Sequence, residues 1–327
     1  MYLVRIKPTA MNNRRQFLKT SAATLAGLSL SQSILGEVLK KSGKIGIQLF
    51  SIPGMVAEDF KGTMKRLADI GYKEIEFFGP YEFSAAETIE GWKPVAAQLG
   101  IKANALYGYS PAEAKKILKD LGLTSPSAHL DLITMRKNMS AAMDGLSELG
   151  VKYAIIPAIA NPEERSDFSK LADEFNTFGE QMAKYGITFV YHNHGYEHAP
   201  KGGKVLMDVL LTETDAKKVK FELDIFWMTA AGASPVEYLN KYPGRFKLLH
   251  LKDASEPIRF SGDGGTSDQW FAIFSKMADP GTGVLDIPAI IDAATKSGAE
   301  HFYLERDLTP EPEKTLTGSF AYLSKLR

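Results

Sequence analysis

The chain has 327 residues, 39 Lys and Arg against 39 Asp and Glu, six His and no Cys. Formal neutrality excludes a protein that draws its affinity from a phosphate backbone or an anionic membrane surface. The absence of cysteine excludes disulfide scaffolds, thiolate zinc sites, iron–sulfur clusters and thiol nucleophiles, so any metal must be held by His, carboxylate and carbonyl groups. In chain order, the first feature is Asn13-Arg14-Arg15-Gln16-Phe17-Leu18-Lys19, followed by an uncharged stretch rich in Ala, Leu and Ser from Thr20 to Leu35. A basic start and a short apolar run are the layout of an export signal, and the run falls short of the roughly 20 residues of a stable membrane span. The arginine pair resembles a twin-arginine signal. Residues 1–36 are therefore expected to be a cleaved leader that takes the protein to the periplasm with no stable membrane anchor. Met11 reads as a better start than Met1, and residues 37–327 are expected to form one domain. The competing reading, an amphipathic first helix, lacks a polar face.

From residue 44 onward, short β-branched or aromatic runs alternate with longer segments of helical period. Strands are predicted at Lys44–Phe50, Tyr72–Phe78, Ser125–Leu130, Lys152–Ala158, Ile187–His194, Val219–Phe226, Phe246–Lys252 and His301–Arg306. A ninth candidate, Ile101–Tyr107, carries Lys, Ala and Asn and runs straight into Gly-Tyr-Ser-Pro, so it is set aside as an excursion. Many intervening helices end in a glycine before the next strand, at Gly71, Gly100, Gly150, Gly186 and Gly298. Eight βα units predict an α/β fold, a (β/α)8 TIM barrel. An open dinucleotide-binding sheet is disfavoured, because Ser-Ile-Pro-Gly-Met after the first strand lacks a glycine-rich phosphate loop.

In such a barrel, reacting groups sit at the C-terminal strand ends. There the sequence places Gln48, Glu76, His129 with Asp131, Tyr191-His192-Asn193-His194-Gly195-Tyr196-Glu197, Glu222 with Asp224, His250-Leu251-Lys252-Asp253, and Glu305 with Asp307. Each has a plainer reading as a satisfied hydrogen-bonding group. Glu222 could pair with a neighbouring strand's Lys or Arg, Lys252 and Asp253 could form a local ion pair, and His198 reads as solvated. His301 begins its strand and should face the opposite end. The plain readings weaken when carboxylates and imidazoles recur at one end of adjacent strands, because converging carboxylates repel and lose hydration unless a cation joins them. Mixed His and carboxylate ligation suits Mn, Co, Mg or Zn equally. Alternation points His192, His194, Asp224, His250, Lys252 and Glu305 inward.

The motifs Ser127-Ala128-His129, His192-Asn193-His194, Glu222-Leu223-Asp224, His250-Leu251-Lys252-Asp253, Gly281-Thr282-Gly283-Val284-Leu285-Asp286 and Leu304-Glu305, in this order, resemble the sugar phosphate isomerase/epimerase-like family of xylose-isomerase-type barrels. The resemblance runs from Lys44 to the C-terminus. It implies one divalent metal ion held by Asp224, His250 and Glu305. The family's fourth ligand is a glutamate on the fifth strand, where this chain has His192. That ligand is then His192 itself or Glu197 reaching back from the turn, and charge balance around a hard ion favours Glu197. The resemblance also implies a small-molecule sugar substrate.

The chemistry expected is proton abstraction next to a carbonyl, with His194 as general base, His192 or Glu305 returning the proton, and Lys252 steadying an oxyanion. Glu76, His129 and Trp227 are candidates for substrate contact. Retention of the hydroxyls makes an isomerase or epimerase acting on an unphosphorylated keto sugar or glycoside; loss of a β-leaving group makes a lyase or dehydratase acting on a keto-glycoside or inosose. A non-catalytic periplasmic sugar-binding protein is the rival from another class. An endonuclease of the same fold is disfavoured by the neutral charge, so no nucleic-acid partner is expected, and a homo-oligomer is left open.

Overall fold

The computed structural model describes residues 44–326, so the expected leader lies outside the described residues. Eight strands carry the architecture: β1 (Gly46–Gln48), β2 (Glu74–Phe77), β3 (Thr124–His129), β4 (Tyr153–Ile156), β5 (Thr188–His192), β6 (Val219–Asp224), β7 (Phe246–Leu251) and β8 (His301–Leu304). They pair in parallel and close in the order β1-β8-β7-β6-β5-β4-β3-β2. This is the (β/α)8 barrel predicted from the alternation. Every ladder ends one or two residues before its predicted end. The residues that follow leave the sheet and build the mouth.

Ile101–Tyr107 forms no strand. It is the turn between helices Ala86–Leu99 and Pro111–Asp120 in the long β2–β3 connection. Asn104 accounts for this locally: its side-chain oxygen takes the Leu106 amide at 3.0 Å, satisfying backbone that a ladder would otherwise need. Helix starts follow their caps, as where Ser110 and Glu113 form a reciprocal capping box. Gly71, Gly100, Gly150 and Gly298 are C-caps as predicted, whereas Gly186 lies two residues beyond the cap Lys184. A short antiparallel ribbon, Asp253–Ala254 with Met277–Ala278, adds to the predicted strands and bounds the long loop after β7.

The main core lies between barrel and helices, where Ile75, Leu146, Phe175, Phe189, Leu223 and Phe302 are buried. A smaller cluster, Ile155, Val190, Leu248 and Tyr303, is buried among the barrel strands. His301 sits at the N-terminal end, with Nδ1 2.7 Å from Glu74, which also faces Lys44 at 3.5 Å.

Candidate active site

Polar contacts begin at Tyr303, whose hydroxyl is 2.7 Å from the Ser127 hydroxyl, and Ser127 in turn donates to Glu76. The other Glu76 oxygen accepts from Gln48 at 2.9 Å and lies 2.6 Å from His250 Nε2. Glu222 Oε2 stands 3.0 Å from His129 Nε2, 3.0 Å from His192 Nδ1 and 3.2 Å from His250 Nε2. Parallel pairing makes this convergence, since the register sets His192 beside Glu222 and Asp224 beside His250. Burial alone would raise both glutamates, but the imidazoles outweigh it. Glu76 is held well below the usual carboxylate range and Glu222 at about 2.

Toward the mouth, Asp224, His250 and Glu305 form a second group. His250 Nδ1 is 2.5 Å from Glu305 Oε2 and 3.9 Å from Asp224 Oδ2, and His192 Nε2 is also 3.9 Å from Asp224 Oδ2. Lys252 Nζ lies 2.9 Å from Asp224, 2.9 Å from Glu305 and 2.6 Å from Asp307. Asp224 Oδ1 is already committed to the amides of Phe226 and Trp227, at 2.9 Å each, which fixes the carboxylate at the barrel edge. The side chain of Asn193, on the outer face of its strand end, clasps the Asp224 backbone through two hydrogen bonds.

These residues fit a divalent cation. The buried atoms Asp224 Oδ2 and His250 Nδ1 make no hydrogen bond, although carboxylate and amine neighbours crowd them. Close approach without hydrogen-bond geometry suits ligands aimed at a shared point better than partners aimed at each other. Donation of His250 Nε2–H to Glu76 and of His192 Nδ1–H to Glu222 leaves His250 Nδ1 and His192 Nε2 as the lone-pair nitrogens toward Asp224, an arrangement that carboxylates impose on metal-binding imidazoles. The group also lacks positive charge. Glu76, Glu222, Asp224, Glu305 and Asp307 surround one ammonium. Although burial disfavours it, Glu222, Glu305 and Glu76 drive His250 well above the ordinary range, so Nδ1 takes a proton wherever no cation competes for its lone pair. An alternative grouping of His129, His192, Glu222 and His250 uses nitrogens that already face the two glutamates at hydrogen-bond distance, so it needs no ion.

The structure brings together Asp224, His250 and Glu305 with Lys252 and His192, but not Glu197. The 3₁₀ turn Tyr196–His198 folds Glu197 back on its own loop, where it takes the Tyr191 hydroxyl at 2.6 Å and the amides of His194 and Gly195. A carboxylate met by that many local donors has no reason to reach the barrel axis; of the two fifth-strand candidates, it is His192 that faces Asp224, with Nε2 at 3.9 Å. Glu76 is likewise not a surface for substrate: it is fully buried and orients His250. His198 is buried rather than solvated, packed edge-on against Tyr238 with a centroid separation of 5.0 Å. Glu222 pairs with imidazoles rather than a Lys or Arg. Lys252 does not pair with Asp253, whose carboxylate takes the amides of Ala254, Gly281, Gly283 and Leu285. Asp307, not among the residues that the alternation points inward, also joins the site through Lys252; its spacing of two from Glu305 is the sequence signal for it.

His129, His192, His194, Trp227, Lys252, Glu305 and Asp307 line a 540 Å³ cavity at the barrel mouth. His194 donates Nδ1–H to the Pro157 carbonyl at 2.7 Å, which leaves Nε2 with its lone pair. Burial first, and the charge of Lys252 second, push this imidazole down to about 3, so it is neutral at physiological pH. It stacks on Trp227 and packs against Trp270, with centroids 5.8 and 4.6 Å away.

The sequence profile described as xylose isomerase-like TIM barrel matches residues 64–326, and the chain belongs to this family. Inosose dehydratase of Geobacillus thermodenitrificans (strain NG80-2) is 23% identical over 263 residues, which cover 71% of this chain and 84% of that protein. Among solved structures, a sugar phosphate isomerase/epimerase from Parabacteroides distasonis ATCC 8503 superposes with a TM-score of 0.65 at 27% identity, covering 86% of this chain and 93% of the other. The IolI protein, crystallised with a bound zinc atom, shares the fold at a TM-score of 0.59 and 14% identity, over 86% of this chain and 96% of its own.

Proposed function

We propose that the protein is a divalent-metal-dependent dehydratase of a keto-polyol or keto sugar. The observation that carries this reading is an imidazole, His194, whose Nδ1–H is held by the Pro157 carbonyl so that its Nε2 is free, and a carboxylate-held ammonium, Lys252, in one cavity beside the Asp224–His250–Glu305 group. The likeness to inosose dehydratase supports elimination over the isomerase or epimerase outcome, and the two share their first step. Asp224, His250, Glu305 and His192 would hold the ion, which when bound supplies positive charge where a carbonyl oxygen gains electrons.

His194 Nε2 takes the proton from the carbon next to the carbonyl. Lys252, kept protonated by Asp224, Asp307 and Glu305 against the cost of burial, gives a proton to the departing hydroxyl on the next carbon. One C–H bond and one C–O bond break, a carbon–carbon double bond forms, and water leaves; proton return from His194 to Lys252 through solvent closes the cycle. On this reading the substrate is a small unphosphorylated molecule met after export, and no nucleic acid takes part.

The test is incubation of the mature protein, loaded in turn with Mn²⁺, Co²⁺, Zn²⁺ or Mg²⁺, with an inosose in D₂O, followed by NMR. Loss of water is the expected result, abolished by His194→Ala. Lys252→Met should retain exchange of the α-proton for deuterium while dehydration falls by two or more orders of magnitude. Exchange or epimerisation by the wild type without loss of water would replace this reading with the isomerase one.

A further inference from the structure

The cavity is divided by chemistry. His129, His192, His194, Lys252, Glu305 and Asp307 line the barrel side, while the outer walls are mainly aromatic. Of the other polar lining residues, Thr88 and Asp131 are paired with each other at 2.6 Å, which leaves Gln98 and Ser267. On the β1–β2 side, Phe50 meets Phe78 edge to face at 5.1 Å, and Phe78 meets Trp92 at 6.1 Å. Across the mouth, on the β6–β7 side, Trp227 packs against Phe274 at 5.9 Å, and Phe274 against Phe271 at 5.0 Å. Val95 and Phe271, both lining the cavity, are 41% and 60% exposed, unusual values for large apolar side chains. A lone sugar ring would fill only part of 540 Å³, and hydroxyls set between the aromatic faces would lose water with few partners to gain.

We propose that the substrate is a keto sugar carrying an aromatic substituent, with the sugar on the polar floor and the aromatic ring between the two walls. This rests on the proposed function for the placement of the sugar. Flat rings on both sides favour a flat ring between them, through offset or edge-on packing. The walls also carry all three tryptophans of the chain, Trp92, Trp227 and Trp270, so occupancy is readable from intrinsic fluorescence.

The experiment titrates the metal-loaded mature protein with phenyl and methyl D-glucopyranosides, both anomers of each, and follows tryptophan emission. At least one phenyl anomer should bind tenfold or more tighter than its methyl counterpart. The double variant Val95→Ser/Phe271→Ser alters two exposed side chains and should fold, as circular dichroism would verify. It should lower phenyl affinity at least threefold and leave methyl affinity unchanged. Equal affinities, equal losses, or no binding of any glycoside at millimolar concentration would overturn the inference. So would a dimer in sedimentation that Phe271→Ser dissociates, since the rim would then be covered by a second copy. Turnover of an unsubstituted inosose reads the dehydratase proposal separately: phenyl preference without turnover defeats only the chemistry, and turnover without phenyl preference defeats only this inference.

Discussion

Glu222 sits where three imidazoles meet one carboxylate oxygen, at 3.0, 3.0 and 3.2 Å. Its contact with His192 Nδ1 leaves Nε2 as the ring nitrogen that faces Asp224, so on the proposed assignment it orients a ligand. Glu222→Gln should therefore weaken metal binding about 10–100-fold, the usual cost of losing a partner that orients a ligand. Asp224→Asn should remove the metal altogether. Elemental analysis after dialysis against a weak chelator separates the two. His198 makes a different claim. Neither ring nitrogen has a hydrogen-bond partner, and burial, only partly opposed by Asp208, lowers the imidazole to about 4 from 6.5. The unfolded chain then binds the extra proton between those values, so stability is full above pH 6.5 and declines as pH falls toward 4. The slope is at most about 1.4 kcal/mol per pH unit for one group. His198→Phe should leave the urea midpoint near its wild-type value at pH 7.5 and raise it at pH 4.5. A variant as acid-sensitive as the wild type would refute this account.

The ribbon and loop after β7 depend on Asp253. Its two oxygens collect amides from Ala254 at 2.8 Å, Gly281 at 3.0 Å, Gly283 at 2.9 Å and Leu285 at 3.1 Å, tying the β7 exit to the approach of helix Ile287–Ser297. The chain at Gly283 passes so close that an added Cβ would lie 2.2 Å from the Ala254 carbonyl oxygen. The segment between the ribbon strands bears Trp270, Phe271 and Phe274, so this anchor also sets one wall of the cavity. Asp253→Asn replaces an oxygen facing several N–H groups with another donor. It should cost about 2–3 kcal/mol in urea unfolding and shift tryptophan emission as the wall loosens. Gly283→Ala should move both readouts in the same direction. Unchanged stability in both variants would mean that the loop is held by other contacts.

Across the whole barrel, acidic groups collect at one end. Glu76 comes from β2, Glu222 and Asp224 from β6, and Glu305 from the exit of β8, so no short segment contains the excess charge that their meeting creates. An ion that binds the folded barrel and not the unfolded chain stabilises it by mass action. Stripping metal with a strong chelator should lower the thermal midpoint by about 5–10 °C, the shift expected when about 3 kcal/mol is removed from a chain of this size. Restoring one equivalent of the native ion should recover it. A midpoint indifferent to chelation and reloading would argue against the ion.

Local patterning was sufficient for the eight strands, the dismissal of Ile101–Tyr107 and the strand-end clustering of Asp224, His250 and Glu305. Alternating apolar runs, helix caps and strand-end polarity are each written within a few neighbouring residues. It was not sufficient for Glu197, His198, Asp253 or Asp307. Glu197 is only three residues from His194, as near in sequence as a ligand would need to be, yet the amides of His194 and Gly195 just before its turn take its charge. His198 is buried by Tyr238, a contact between residues 40 apart along the chain. The partition of Glu76 and Glu222 into orienting groups, and of Asp224 and Glu305 into prospective ligands, depends on barrel closure and strand register. Those features decide which oxygen meets which imidazole, a question of distances between strands that periodicity along one strand does not contain.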